Sequence, residues 1–105
     1  MGGRKMNRTF RHYKEATTVS RTVSFNTEDL RGVNRQILFS PTTTTTTYDF
    51  TMVDDKSITV LSQKGCKGVY QYINAMGLFG KYTITITNAS ADELFKFEIR
   101  YEEVI

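Results

Sequence analysis

Tryptophan is absent from this chain of 105 residues, and proline, cysteine and histidine occur once each. The single cysteine, Cys66, cannot close an intramolecular disulfide, so the chain is expected to be made and folded in a reducing compartment. There is no cysteine or histidine cluster with zinc spacing, no glycine motif that cradles phosphate and no calcium-loop spacing. No apolar run is long enough to cross a bilayer. The opening residues, Met1 to Met6, lack the core of a signal peptide, and Met6 stands where an N-myristoylation motif needs Ser or Thr. The chain is therefore expected to be soluble, with no membrane partner.

Thr, Tyr, Phe, Ile and Val are prominent, which favours strands. The length suits one domain that buries about two thirds of the surface its unfolded form exposes. The net charge of +3 is unevenly spread. Arg4, Lys5, Arg8, Arg11 and Lys14 against Glu15 give residues 1–16 a charge of +4, and the rest of the chain is close to neutral. Residues 1–16 show neither helical nor strand periodicity and read as a flexible basic arm ahead of a domain over residues 17–105.

Within the domain, hydrophobic alternation marks seven strands. Residues 17–25 carry Val19, Val23 and Phe25 on one parity, with Arg21 interrupting that face. Residues 33–40 carry Val33, Ile37 and Phe39, and Pro41 closes that run. The six threonines Thr42 to Thr47 read as an edge loop leading into a strand with Tyr48, Phe50 and Met52 on one side. Asp54-Asp55 predicts a tight turn into residues 57–61, and Gln63 to Lys67 reads as a basic glycine-bearing loop. Residues 69–73 form a short strand, with Tyr70 and Tyr72 opposite Val69 and Ile73. The clearest pattern comes last: Tyr82, Ile84 and Ile86, then Phe95, Phe97, Ile99 and Tyr101, read as an antiparallel pair within one sheet. Between them Ser90-Ala91-Asp92-Glu93 has the form of a capping box, enough for one helical turn.

Seven short strands without an amphipathic helical window predict an all-β fold. The expected form is a single antiparallel β-sandwich, immunoglobulin-like or jelly-roll-like, with a small barrel as the alternative. Gly80-Lys81-Tyr82-Thr83 resembles the start of strand F in immunoglobulin-like domains, and that resemblance implies a corner role for Tyr82. Ile84 stands where antibody domains carry their cysteine.

Candidate sites are few. Cys66 lies between Lys64 and Lys67, which could lower its pKa, but the domain offers it no histidine, and no catalytic residue is assigned. Asp49, Asp54 and Asp55 could be drawn into a calcium site, but Asp is a common turn residue, so no metal or cofactor is assigned. Tyr70 and Tyr72 are the best pair for a carbohydrate platform. Arg4, Lys5, Arg8, Phe10, Arg11, Tyr13 and Lys14 mix rings with basic groups and are expected to bind a neighbouring subunit, with nucleic acid as a secondary partner; the equal alternative for Phe10 and Tyr13 is that their rings fold back over the edge of their own core.

Leu30-Arg31-Gly32-Val33-Asn34-Arg35-Gln36-Ile37, the Thr-rich lead into Tyr48-Asp49-Phe50, the Asp54-Asp55 turn, Gly80-Lys81-Tyr82-Thr83 and Asn88 to Phe95 together resemble the small β-sandwich accessory proteins of tailed bacteriophage particles. The resemblance implies a non-enzymatic virion protein, assembled in the host cytoplasm. It implies a capsid cement or decoration protein first and a neck or tail component second. The implied partners are the major capsid protein or neighbouring virion subunits, with further copies of the chain on the particle.

Overall fold

The computed structural model describes residues 8–103, and every regular element among them is a β-strand. Nine strands follow one another: β1 (Arg8–Thr17), β2 (Val23–Asn26), β3 (Leu30–Pro41), β4 (Thr47–Asp54), β5 (Thr59–Lys67), β6 (Tyr70–Tyr72), β7 (Gly77–Gly80), β8 (Tyr82–Thr87) and β9 (Leu94–Glu103). They form two antiparallel sheets. The first has the order β1-β9-β3, with β6 and β7 both pairing with the remaining edge of β3; the second has the order β2-β8-β4-β5. The protein is a β-sandwich, as its alternation predicts.

The core is built where the inward parities meet. Phe97 of β9 stacks on Phe25 of β2 with ring centroids 5.2 Å apart, Phe39 of β3 meets Phe50 of β4 at 4.5 Å, and Tyr48 of β4 stands edge-on to Phe95 of β9 at 5.0 Å. Each contact joins one sheet to the other, and each adds about 0.5–1.5 kcal/mol beyond the burial of its area. Leu30, Ile37, Met52, Ile84, Ile86 and Ile99 fill the space between the rings and are almost wholly removed from water.

Four sequence expectations are corrected here. First, β8 and β9 do not pair: β8 lies between β2 and β4, whereas β9 lies between β1 and β3. Their apolar faces oppose one another across the core, and the linker between them forms no helical turn. It turns through Asn88 (φ 55°) and Asp92 (φ 51°). The Glu93 N–H donates to Thr18 Oγ1, and its carboxylate accepts the Thr43 N–H. Second, residues 8–16 are not a flexible arm but part of β1, paired with β9 along its whole length; Arg4 and Lys5 lie outside the described residues. Third, residues 19–22 are a two-residue hairpin with Ser20 and Arg21 at positive φ, so Val19 is exposed and Arg21 reaches the Ala89 carbonyl. Fourth, β5 continues through residues 63–67, and the connection before β8 contains β7.

Two local devices fix the sheets. In β3 the register shifts between Asn34 and Gln36, which moves the inward parity from Leu30, Gly32 and Asn34 to Ile37, Phe39 and Pro41. Asn34 is consequently buried, and its Nδ2 donates to the carbonyls of Tyr72 and Asn74, holding the break between β6 and β7. At the β7–β8 corner, the Phe79 N–H donates to Tyr82 Oη at 2.8 Å and Tyr82 Oη reaches back to the Phe79 carbonyl at 3.2 Å. Tyr82 has the corner geometry that its sequence context implies.

Gly32 lies at a close approach of β3 to β9, since a Cβ there would meet the Glu102 carbonyl oxygen at 2.2 Å. Gly32→Ala should cost about 2 kcal/mol or more because backbone must move. Gly77→Ala would meet only the side chain of Phe79, at 3.2 Å, and should cost less than about 1 kcal/mol. Urea unfolding of the two variants checks the contrast.

Candidate interaction surface

The register of β1 on β9 distributes the predicted binding residues between two faces. Arg8, Phe10, His12 and Lys14 share the inward parity, and Arg11 and Tyr13 the outward one. Phe10 stacks on Tyr101 with centroids 5.7 Å apart, so this ring belongs to the sheet's own edge and not to a ligand. Tyr13 remains 41% exposed. The basic residues of β1 thus form no single stripe.

On the outward face the strand pairing sets Arg11 directly opposite Arg100, a like-charge pair that is unfavourable by itself. Glu98, two residues before Arg100, resolves it. One of its oxygens accepts Arg11 Nε at 2.8 Å and the other accepts Arg100 Nε. The Glu98 side chain is only 7% exposed, whereas the arginines keep 57% and 52% of theirs in solvent. The Arg11 guanidinium lies 5.1 Å from the centroid of Tyr13, whose hydroxyl donates to Glu15 at 2.8 Å. Arg35 pairs with Glu102 and Gln36 with Gln71 on the same side of the sheet. The result is a pre-ordered surface of both charge signs around the exposed ring of Tyr13. Sequence inspection missed Glu98 and Arg100, because their importance arises from the register with β1.

The other candidate residues are engaged by the fold itself. Tyr70 packs against Phe50 at 5.3 Å and Phe39 at 6.5 Å, and Tyr72, opposite Ile37, also packs against the core. The tyrosine face of β6 continues the inward face of β3, which leaves Val69 and Ile73 exposed, so the expected carbohydrate platform is not presented. Asp54 Oδ1 accepts the N–H groups of Lys56 and Ile58 within the β4–β5 turn. Asp49 accepts from the Gly65 N–H and from Asn88, and these two hydrogen bonds hold its carboxyl below the usual value. No group of metal-ligating side chains occurs among the described residues.

Cys66 is buried, and desolvation, followed by the nearby Asp49 charge, pushes its thiol up to about 11; the flanking lysines do not activate it. His12 is buried with its ring edge-on to Phe97, and its Nε2 has no hydrogen-bond partner. Desolvation, and then Lys14, lower its pKa. Compared with known protein families and with curated proteins, the chain matches none by sequence.

Glu98→Gln removes the charge that reconciles Arg11 with Arg100 and should destabilise the fold by about 1–2 kcal/mol, against less than about 0.5 kcal/mol for the exposed Glu15→Gln, measured by thermal denaturation. The pH dependence follows from two shifts in opposite directions. His12, with its folded pKa below 6.5, contributes stability that is present above pH 6.5 and lost as pH falls through the folded value. Cys66, with its folded pKa above 9.0, contributes stability that is present below pH 9.0 and lost as pH rises towards about 11. The His12 ring protons should titrate lower in the native chain than in urea, and a thiol reagent at pH 8 should label Cys66 only after unfolding.

Proposed function

We propose that this chain is a non-enzymatic structural protein that acts by adhesion to neighbouring subunits of a larger assembly. The observation that carries this reading is the outward face of β1 and β9, where Glu98 holds two arginines beside the exposed Tyr13. Arg and Tyr are the residue types that most often anchor protein interfaces, and ordering them before contact lowers the entropy lost on binding. The interleaved Glu15, Glu98 and Glu102 make the face a better match for a protein of mixed charge than for a phosphate backbone. In its finer form the proposal follows the resemblance to phage accessory proteins: a cement or decoration protein on a capsid first, a neck or tail component second. The basic residues Arg4 and Lys5 precede β1 in the chain, where they would extend the same contact.

When the chain is produced together with the genes that flank its own, it should travel with particles through a density gradient. Tyr13→Ala, which leaves the Glu98 clamp in place, should reduce incorporation about tenfold, as should deletion of residues 1–7, which leaves β1 intact. A chain that never travels with particles, or variants that incorporate as well as the natural sequence, would overturn the proposal.

A further inference from the structure

Three of the four sheet edges are blunted. β2 is four residues long, β5 is broken by two register shifts against β4, and the far edge of β3 is shared by the short β6 and β7 with a loop between them. β1 is different. It runs ten residues without proline, in unbroken register with β9 from Arg8↔Glu103 to Thr17↔Leu94, and among the described residues no strand pairs with its other side.

We propose that β1 pairs antiparallel with β1 of a second copy of this chain about a twofold axis at Tyr13, so that the first sheet runs continuously through a dimer. The charge pattern of the strand selects this register. On the outward face it sets Arg11 opposite Glu15 of the second copy, twice by symmetry, with Tyr13 facing Tyr13 and Thr9 facing Thr17. On the inward face Phe10 meets Ala16, and Lys14 lies opposite His12, which burial keeps neutral. An axis at Arg11 would oppose two guanidiniums, and one at Lys14 two ammonium groups. An axis at His12 leaves Glu15 facing Thr9 and sets Lys14 against Phe10. Registers with the axis between residues place the buried face of one sheet beside the solvent face of the other.

Both members of the central pair have capacity to spare. Arg11 bonds Glu98 through Nε alone and keeps 57% of its side chain exposed, and Glu15 accepts from Tyr13 through Oε2 alone. The dimer names one partner for the adhesion proposed above and rests on that reading only for its role. It is measured on the purified chain without particles, so the two ideas fail separately.

In sedimentation velocity the full chain at about 100 μM should contain a dimer that dissociates on dilution, as a small two-strand interface would. Glu15→Arg, at an exposed position, should weaken it about tenfold or more by turning both attractive pairs repulsive. Under mild oxidation Tyr13→Cys should crosslink to itself. Thr9→Cys and Thr17→Cys should crosslink only when mixed. A monomer at that concentration, a dimer indifferent to Glu15→Arg, or self-crosslinking at Thr9 or Thr17 would overturn the proposal.

Discussion

The fold depends on rings that meet between the two sheets. Phe97 lies near Phe25, Phe39 and His12 at once, and Phe39 in turn touches Phe50, Tyr48 and Tyr70. These residues come from both sheets and from strands far apart in sequence, so the layer closes the sandwich as one unit. Hydrogen bonds hold each sheet together, but none of the ladders joins β9 to β8 or β3 to β4. That task falls to apolar area and ring geometry, which tolerate little loss of volume in an interior packed at the density of an organic crystal. The chain has no tryptophan and no disulfide to supply this link by other means.

Around this layer the ends of the sandwich are tied by polar side chains. Glu93 is buried where the threonine-rich loop meets the β8–β9 crossing, and it accepts from the Thr43 N–H and from Thr46 Oγ1. Thr18 Oγ1 donates to the Ser90 carbonyl and accepts from the Glu93 N–H. Tyr48 Oη donates to the Gly68 carbonyl at 2.6 Å, and Gly68 lies so close to Thr44 that a Cβ would meet its carbonyl oxygen at 2.5 Å. A run of six threonines that has low complexity as sequence therefore becomes a loop with fixed attachments. The Thr43 amide and the Thr46 hydroxyl answer the Glu93 carboxylate, which would otherwise be buried without partners.

What the sequence discloses follows from the range of each signal. The Asp54-Asp55 turn and the strands on either side of it are legible because a turn and a period of two are local properties, and Asp54 binds the Lys56 and Ile58 amides as such a turn requires. The inward sets of β4, β8 and β9 are legible for the same reason. Neighbourhood is not local. The alternation of Tyr82 to Ile86 and of Phe95 to Tyr101 states that each strand has an apolar face, and that is satisfied equally by lying side by side or by packing face to face. The shift at Arg35 inverts the meaning of Val33 and Asn34, since one extra residue exchanges the faces of a strand. β1 shows no alternation because its inward positions near an open edge tolerate Arg8, His12 and Lys14. Tyr70 and Tyr72 carried the right pattern with the wrong facing: the core, not a ligand, takes their rings.

The charged face of β1 and β9 has its origin in the same non-local pairing. Placing Arg11 against Arg100 is unfavourable in an isolated sheet, and Glu98, buried between them, offsets it. The cluster provides two guanidiniums, each fixed through its Nε atom on Glu98, beside a ring and a carboxylate on a long edge strand. A fixed fork of donors loses little entropy when a carboxylate arrives, and an open strand edge supplies the backbone bonds to go with it. The order of the outward residues of β1 is thus set by its register with β9, through a carboxylate that no local pattern marks out.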